Sequence, residues 1–161
     1  MDFDLRAFIQ DPQLEGLLRV LLAGTMAALI GFQREREGKP AGIRTYGLVG
    51  MGAAIFTVTG ILAFGAGDPG SRVAAQIVTG IGFIGAGTIL HMRRQIVGLT
   101  TAAGLWAVAA IGMAIGGGLY ILGIGAGLSL LLVLQFVRPE VLVRFGLASK
   151  EDVEGKVPET D

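Results

Sequence analysis

The chain has 161 residues, 52% hydrophobic and 16% charged, with a formal net charge of zero and a mean hydropathy of +0.67. A soluble domain carries about 25% charged residues, and here no acid stands between Asp68 and Glu140. These values exclude a disordered chain, a collagen-like chain (27 Gly but no Gly-X-Y period) and, without cysteine, a disulfide scaffold. Balanced charge gives no support for a nucleic-acid partner. What remains is an all-α, polytopic membrane protein.

Residues 1–16, MDFDLRAFIQDPQLEG, open with acids and show no small-residue cleavage site, so a cleaved signal peptide is not expected. Phe3, Leu5, Phe8 and Ile9 suit an interfacial helix, with an unstructured leader as the alternative. Apolar segments follow at 17–32, 46–64, 73–90, 101–115 and 119–137. A helix needs about 20 apolar residues to cross roughly 30 Å of hydrocarbon, so the first and fourth must borrow flanking polar residues or lie in thinner membrane. Gly116, Gly117 and Gly118 separate the last two, since one helix of about 37 residues would overrun a bilayer. The expected organisation is a leader at 1–16, a five-helix membrane domain at 17–137, and a flexible cytoplasmic tail at 138–161. Ten of the 13 Lys and Arg residues fall on one side of this arrangement. The positive-inside rule makes that side cytoplasmic, with the N-terminus outside and the C-terminus inside.

Within the membrane, GIGFIGAG at 80–87 and the pairs Gly112/Gly116 and Gly123/Gly127 have the small-residue spacing of helix contacts. Gly80-x-Gly82-x-x-Gly85 also matches a dinucleotide fingerprint, but no strand context or downstream acid accompanies it. Arg19 lies about one turn inside the first segment, four residues after Glu15. A snorkelling pair at the outer interface and a functional intramembrane charge are both open for it. Gln76, near the outer start of the third segment, needs several partners for its amide if buried. The only His, His91 in HMRRQ, has no neighbouring carboxylate, and no nucleophile–base set or metal-ligand spacing can be assembled. The expectation is a protein without catalysis, cofactor or resident metal.

The loop GFQREREGKPAGIRTY alternates Arg34, Glu35, Arg36 and Glu37 before Lys39 and Arg44. Orientation alone needs no acids there, so the second reading is a folded cytoplasmic cap in which Glu35 or Glu37 bridges arginines; the first is a basic loop at anionic headgroups.

LIGFQREREGKPAGIRTYGLVGMGAAIF, QIVTGIGFIGAGTIL and VGLTTAAGLWAVAAIGMAIGGGLY, in this order, resemble the MgtC/SapB family of bacterial inner-membrane proteins over residues 14–137. The resemblance implies five helices in the inner membrane. Its pattern falls on Arg19, Gly31, Arg34, Glu35, Gly42, Arg44 and Thr45, and on Gly80, Gly82, Gly85, Gly87, Gly98, Thr100, Thr101 and Trp106. Gln33 departs from it, standing where many members have Glu, and longer members continue into a soluble C-terminal domain. The resemblance further implies a virulence-associated role in adaptation to low magnesium and to growth inside macrophages, and some members resemble regulators of other membrane proteins.

The expected function is a non-enzymatic inner-membrane protein that modulates other membrane proteins in magnesium or envelope-stress homeostasis. Its partners would be the bilayer, a second copy of itself and another inner-membrane protein. The rival is an oligomeric transporter or channel for Mg²⁺ or another cation, with Arg19, Gln76, Thr100 and Thr101 lining a hydrated cavity between protomers. A structural subunit is a third reading.

Overall fold

Asp11 starts the first helix. Its carboxylate accepts the Gln13 N–H at 2.7 Å, and Pro12 takes a first-turn position where a missing N–H has no consequence. The structure, a computed structural model, describes residues 11–64, 68–92 and 95–136. The leader's residues 1–10 and the expected tail lie outside that set. Among the described residues are five helices: α1 (Pro12–Arg36), α2 (Ile43–Phe64), α3 (Asp68–Gly87), α4 (Leu99–Gly116) and α5 (Tyr120–Phe136). Helices α1, α2 and α4 are long and apolar enough to cross a membrane, and α5 is apolar but shorter, at 17 residues.

The third helix ends three residues before the expected limit. A two-stranded antiparallel hairpin, β1 (Leu90–Met92) and β2 (Gln95–Val97), follows it where helix and loop were expected. Thr88 donates its hydroxyl to the Gly85 carbonyl at 2.8 Å, competing with helix continuation. Ile96 and Val97, both β-branched, favour the extended return strand.

The helices alternate in direction, and the core is built by close backbone approach rather than by large side chains. Helix α2 lies between α1 and α4. A Cβ added at Gly50 would run into the Ala27 side chain of α1, while one added at Gly112 of α4 would run into the Gly50 carbonyl. One turn on, a Cβ at Gly116 would meet the Ala54 carbonyl at 2.9 Å. Into this frame pack Val20, Ile30, Leu105, Val108 and Ile115, all buried. Helix α5 joins through Gly123 against Ile115 and Gly127 against Met26. The expected small-residue contacts at 112/116 and 123/127 are therefore present.

The 80–87 run behaves differently. Only Gly85 meets another helix, at Ala102 of α4, while Gly80, Gly82 and Gly87 face open space. Helix α3 is held along a narrow line that includes Ile81, Gly85 and Val73, the last against Gly60 of α2. The bundle's periphery is apolar: Ile121 is 93% exposed, Phe83 86% and Leu48 70%. So much exposed hydrocarbon suits lipid and not water.

Substituting Gly50 or Gly112 by Leu is expected to cost about 1–3 kcal/mol or more, because backbone sets the spacing and cannot yield. Gly82→Leu, with nothing within 4 Å of its Cβ position, is expected to stay within about 0.5 kcal/mol of wild type. Thermal unfolding in detergent measures both, and equal losses at Gly50 and Gly82 would contradict this packing.

Candidate functional site: polar clasps at the two ends of the bundle

The first clasp forms where α1 begins and α4 turns into α5. Gly118, at φ +82°, allows the turn, with Gly118 N–H donating to the Ile115 carbonyl at 3.0 Å and Leu119 N–H to Ala114 at 2.8 Å. The turn leaves the Gly116 carbonyl open, and Arg19 fills that need: its Nη1 donates to Gly116 O at 3.1 Å. Its Nε donates to the Tyr120 hydroxyl at 3.0 Å, and its Nη2 pairs with Glu15 Oε1 at 2.5 Å. A cation at the C-terminal end of α4 also opposes the helix dipole. A Cβ on Gly118 would meet Arg19 Nη2 at 3.2 Å, so the glycine also makes room for the guanidinium. The Arg19 side chain is 21% exposed and Glu15 54%. This is a pair at the edge of the bundle, with Arg19 anchored to two further groups.

The second clasp lies at the other end, where α1 passes into α2. Gly38, at φ +65°, ends α1: its N–H donates to Glu35 O at 3.0 Å, and Lys39 N–H donates to Arg34 O at 3.1 Å. Helix α2 then starts without a cap of its own, and Glu35 supplies one by accepting the Ile43 N–H at 2.9 Å. Gly42 leaves room for that carboxylate, since a Cβ there would collide with it where it now sits. Arg34 is 3% exposed and pairs through Nη1 with Glu37 Oε2 at 3.0 Å. Gln33 Nε2 donates to Glu37 Oε1 at 2.9 Å. Tyr46 is fully buried; its hydroxyl faces Arg34 and donates to the Thr101 carbonyl at 3.4 Å. Gly104 of α4 leaves the space that this hydroxyl occupies. Arg34 Nε and Gln33 Oε1 are buried polar atoms without a protein partner among the described residues.

Of the residues singled out by sequence, Arg34, Glu35 and Thr101 come together in or beside the second clasp, and Arg19 anchors the first. The bridging carboxylate is Glu37, while Glu35 caps α2. Arg44, Thr45 and Thr100 are exposed. Gln76 is exposed on α3, Gly82 and Gly87 are open, and Gly85 is packed. Trp106 is 52% exposed beside a small cavity between α3 and α4. Arg19, Gln76, Thr100 and Thr101 do not line one cavity within this chain. Sequence reasoning missed Tyr46 and Tyr120, and named Glu37 only as one of two candidate bridges. A tyrosine inside an apolar segment is itself a signal, because a buried hydroxyl requires a partner.

Apolar helices wrapped around a glycine-spaced core, with charge gathered at their ends, define a helical membrane protein. The chain belongs to the MgtC family, whose sequence profile matches residues 20–141. It is 48% identical over 128 residues to YhiD of Escherichia coli strain K12, a protein named as a candidate magnesium transporter. That match covers 75% of this chain and 60% of YhiD. SrpB of Synechococcus elongatus is 43% identical, over 74% of each chain. MgtC of Brucella abortus is 45% identical, over 76% of this chain and 52% of its own. The chain thus spans little more than half the length of some of the curated relatives it matches. No solved structure matches it at a significant level.

Arg19→Ala is expected to destabilise the protein by about 1.5–3 kcal/mol through its charge-assisted bond to a backbone carbonyl. Glu15→Gln, which removes only the exposed partner, should cost distinctly less. Denaturation in detergent distinguishes them, and a Glu15 effect as large as that of Arg19 would contradict the anchoring role of Gly116 and Tyr120.

Arg34→Met is expected to cost about 3–5 kcal/mol by removing the buried guanidinium that pairs with the Glu37 carboxylate. Adding Glu37→Leu should recover part of that loss. A double variant less stable than Arg34→Met would show that the pair is not the unit that matters.

Proposed function

We propose that this protein is a non-enzymatic component of the bacterial inner membrane that modulates other membrane proteins in magnesium or envelope-stress homeostasis, through helix–helix contact. The observation that carries the reading is the outward face of α3. Ala75, Thr79, Gly82 and Ala86 recur there at helical spacing, all exposed, and form a strip on which another helix backbone can approach closely. The Thr79 hydroxyl is turned back onto the Ala75 carbonyl at 3.0 Å, so the strip carries no free donor into lipid. Arg19 and Tyr46 are engaged in bonds between the protein's own helices, and Arg34 in its pair with Glu37. A second copy of the chain and a different inner-membrane protein both suit the strip. In this reading all five helices cross the bilayer, and the end bearing Arg34, Glu35 and Glu37 is cytoplasmic.

Cation transport by an oligomer is the second reading, favoured by the name of YhiD. The experiment joins flux to physiology. Protein reconstituted in liposomes loaded with a Mg²⁺ indicator is expected to give no flux above empty liposomes. Growth of the source bacterium at low magnesium is expected to require the chain and to be lost with Gly82→Leu, a variant that keeps its fold. Flux above background would replace modulation with transport, and full growth with Gly82→Leu would remove the α3 strip from the function.

A further inference from the structure

On the flank of α3 away from its contact with α4, a cavity of about 910 Å³ runs between α2 and α3. Its floor is made of small residues, Gly52, Ala53, Gly80 and Ala109, and its walls of Leu48, Phe56, Phe64, Ile77 and Ile84. A Cβ added at Gly52 or Gly80 would meet nothing within 4 Å, so the floor is open along its length. One end is different. Among the described lining residues Arg72 is the only charged one, and Gln76, one turn further along the same helix, the only amide. A Cβ added at Gly60 of α2 would meet Val73 of α3 at 3.6 Å, so Arg72 sits near the Phe64 end of α2, opposite the Arg34 clasp.

We infer that this groove holds an anionic glycerophospholipid, with its phosphate at Arg72 and an acyl chain along the apolar channel. The dimensions agree: from Arg72 to Ile84 is twelve helical residues, about 18 Å of rise, against roughly 15 Å for half the hydrocarbon core. The bound lipid therefore belongs to the leaflet on the Arg72 side. Charge complementarity sets the headgroup class, because a single cation with no acid among the described lining residues favours net negative charge. The Gln76 amide can donate to an ester carbonyl, the next polar group inward from a glycerophosphate. The small floor residues bring the chain against backbone, and the flanking phenylalanines close over it.

Native mass spectrometry of the full chain in mild detergent tests this with phosphatidylglycerol and phosphatidylethanolamine as competing probes. The wild type is expected to retain phosphatidylglycerol about fivefold more than phosphatidylethanolamine, the ratio that one interfacial cation supplies. Arg72→Gln should bring the ratio to about one. Gly80→Leu should remove both adducts by filling the channel, and Gly52→Leu should do the same from α2 if Gly80→Leu fails to fold. Gly82→Leu, on the other face of α3, should leave retention unchanged. Equal retention by wild type, Arg72→Gln and the groove-filling variants would overturn the assignment. So would efficient disulfide crosslinking between copies carrying Phe56→Cys in native membranes, which would place a second protomer in the groove; the chain has no other cysteine to confuse that result.

Discussion

At Gly50 three helices come to within backbone distance of one another. Its missing side chain admits Ala27 of α1 from one side, and its carbonyl abuts Gly112 of α4 on the other. Lipid is as apolar as a leucine-rich core, so helices in a membrane gain little by hiding hydrocarbon and associate through close packing instead. That explains why Gly and Ala make up most of the buried positions, while the described Phe residues and most Leu lie outside. The positions of both clasps depend on this frame, since Arg19 can reach Gly116 only if α1 and α4 are held at fixed separation.

The clasps solve one problem at two depths. Each end of a helix leaves backbone groups without intrahelical partners, and near a membrane water is an unreliable substitute. At one end a guanidinium takes a terminal carbonyl of α4; at the other a carboxylate takes a leading N–H of α2. Both side chains come from α1, which acts as the strut to which the other helices are fastened. Helix α3 receives no such fastening among the described contacts, and cavities lie on both of its flanks. The bundle is thus divided into a tight group, α1, α2, α4 and α5, and a loosely attached neighbour.

Much of this was legible in the sequence where the causes are local. The Arg19–Glu15 pair follows from four-residue spacing, the break near Gly38 from Gly-Lys-Pro, and the turn at 116–118 from three successive glycines. What could not be read is what depends on distant parts of the chain. Nothing near Tyr46 indicates that its hydroxyl meets Thr101, 55 residues on. Gly80, Gly82 and Gly112 look alike as letters, yet only Gly112 faces another backbone. The hairpin at 90–97 was hidden because three-residue strands leave almost no periodic signal. The roles of Glu35 and Glu37 were open for a related reason: alternating charges show that a cap exists, and only the path of the loop decides which carboxylate meets which partner.

The Arg19 clasp also has a history in time. Its carbonyl and hydroxyl partners lie 97 and 101 residues further along the chain. At bacterial or eukaryotic synthesis rates of roughly 5–20 residues per second, about 5–20 s separate the emergence of Arg19 from that of Tyr120. Throughout that interval the first helix carries a charge with only Glu15 as a partner, and the frame around Gly50 is incomplete until α4 arrives. The opposite clasp begins to close far sooner, since Arg34, Glu35, Glu37 and Ile43 are neighbours in sequence. Assembly of this small bundle therefore starts at the Arg34 end and is locked at the Arg19 end once Gly116 and Tyr120 have been made.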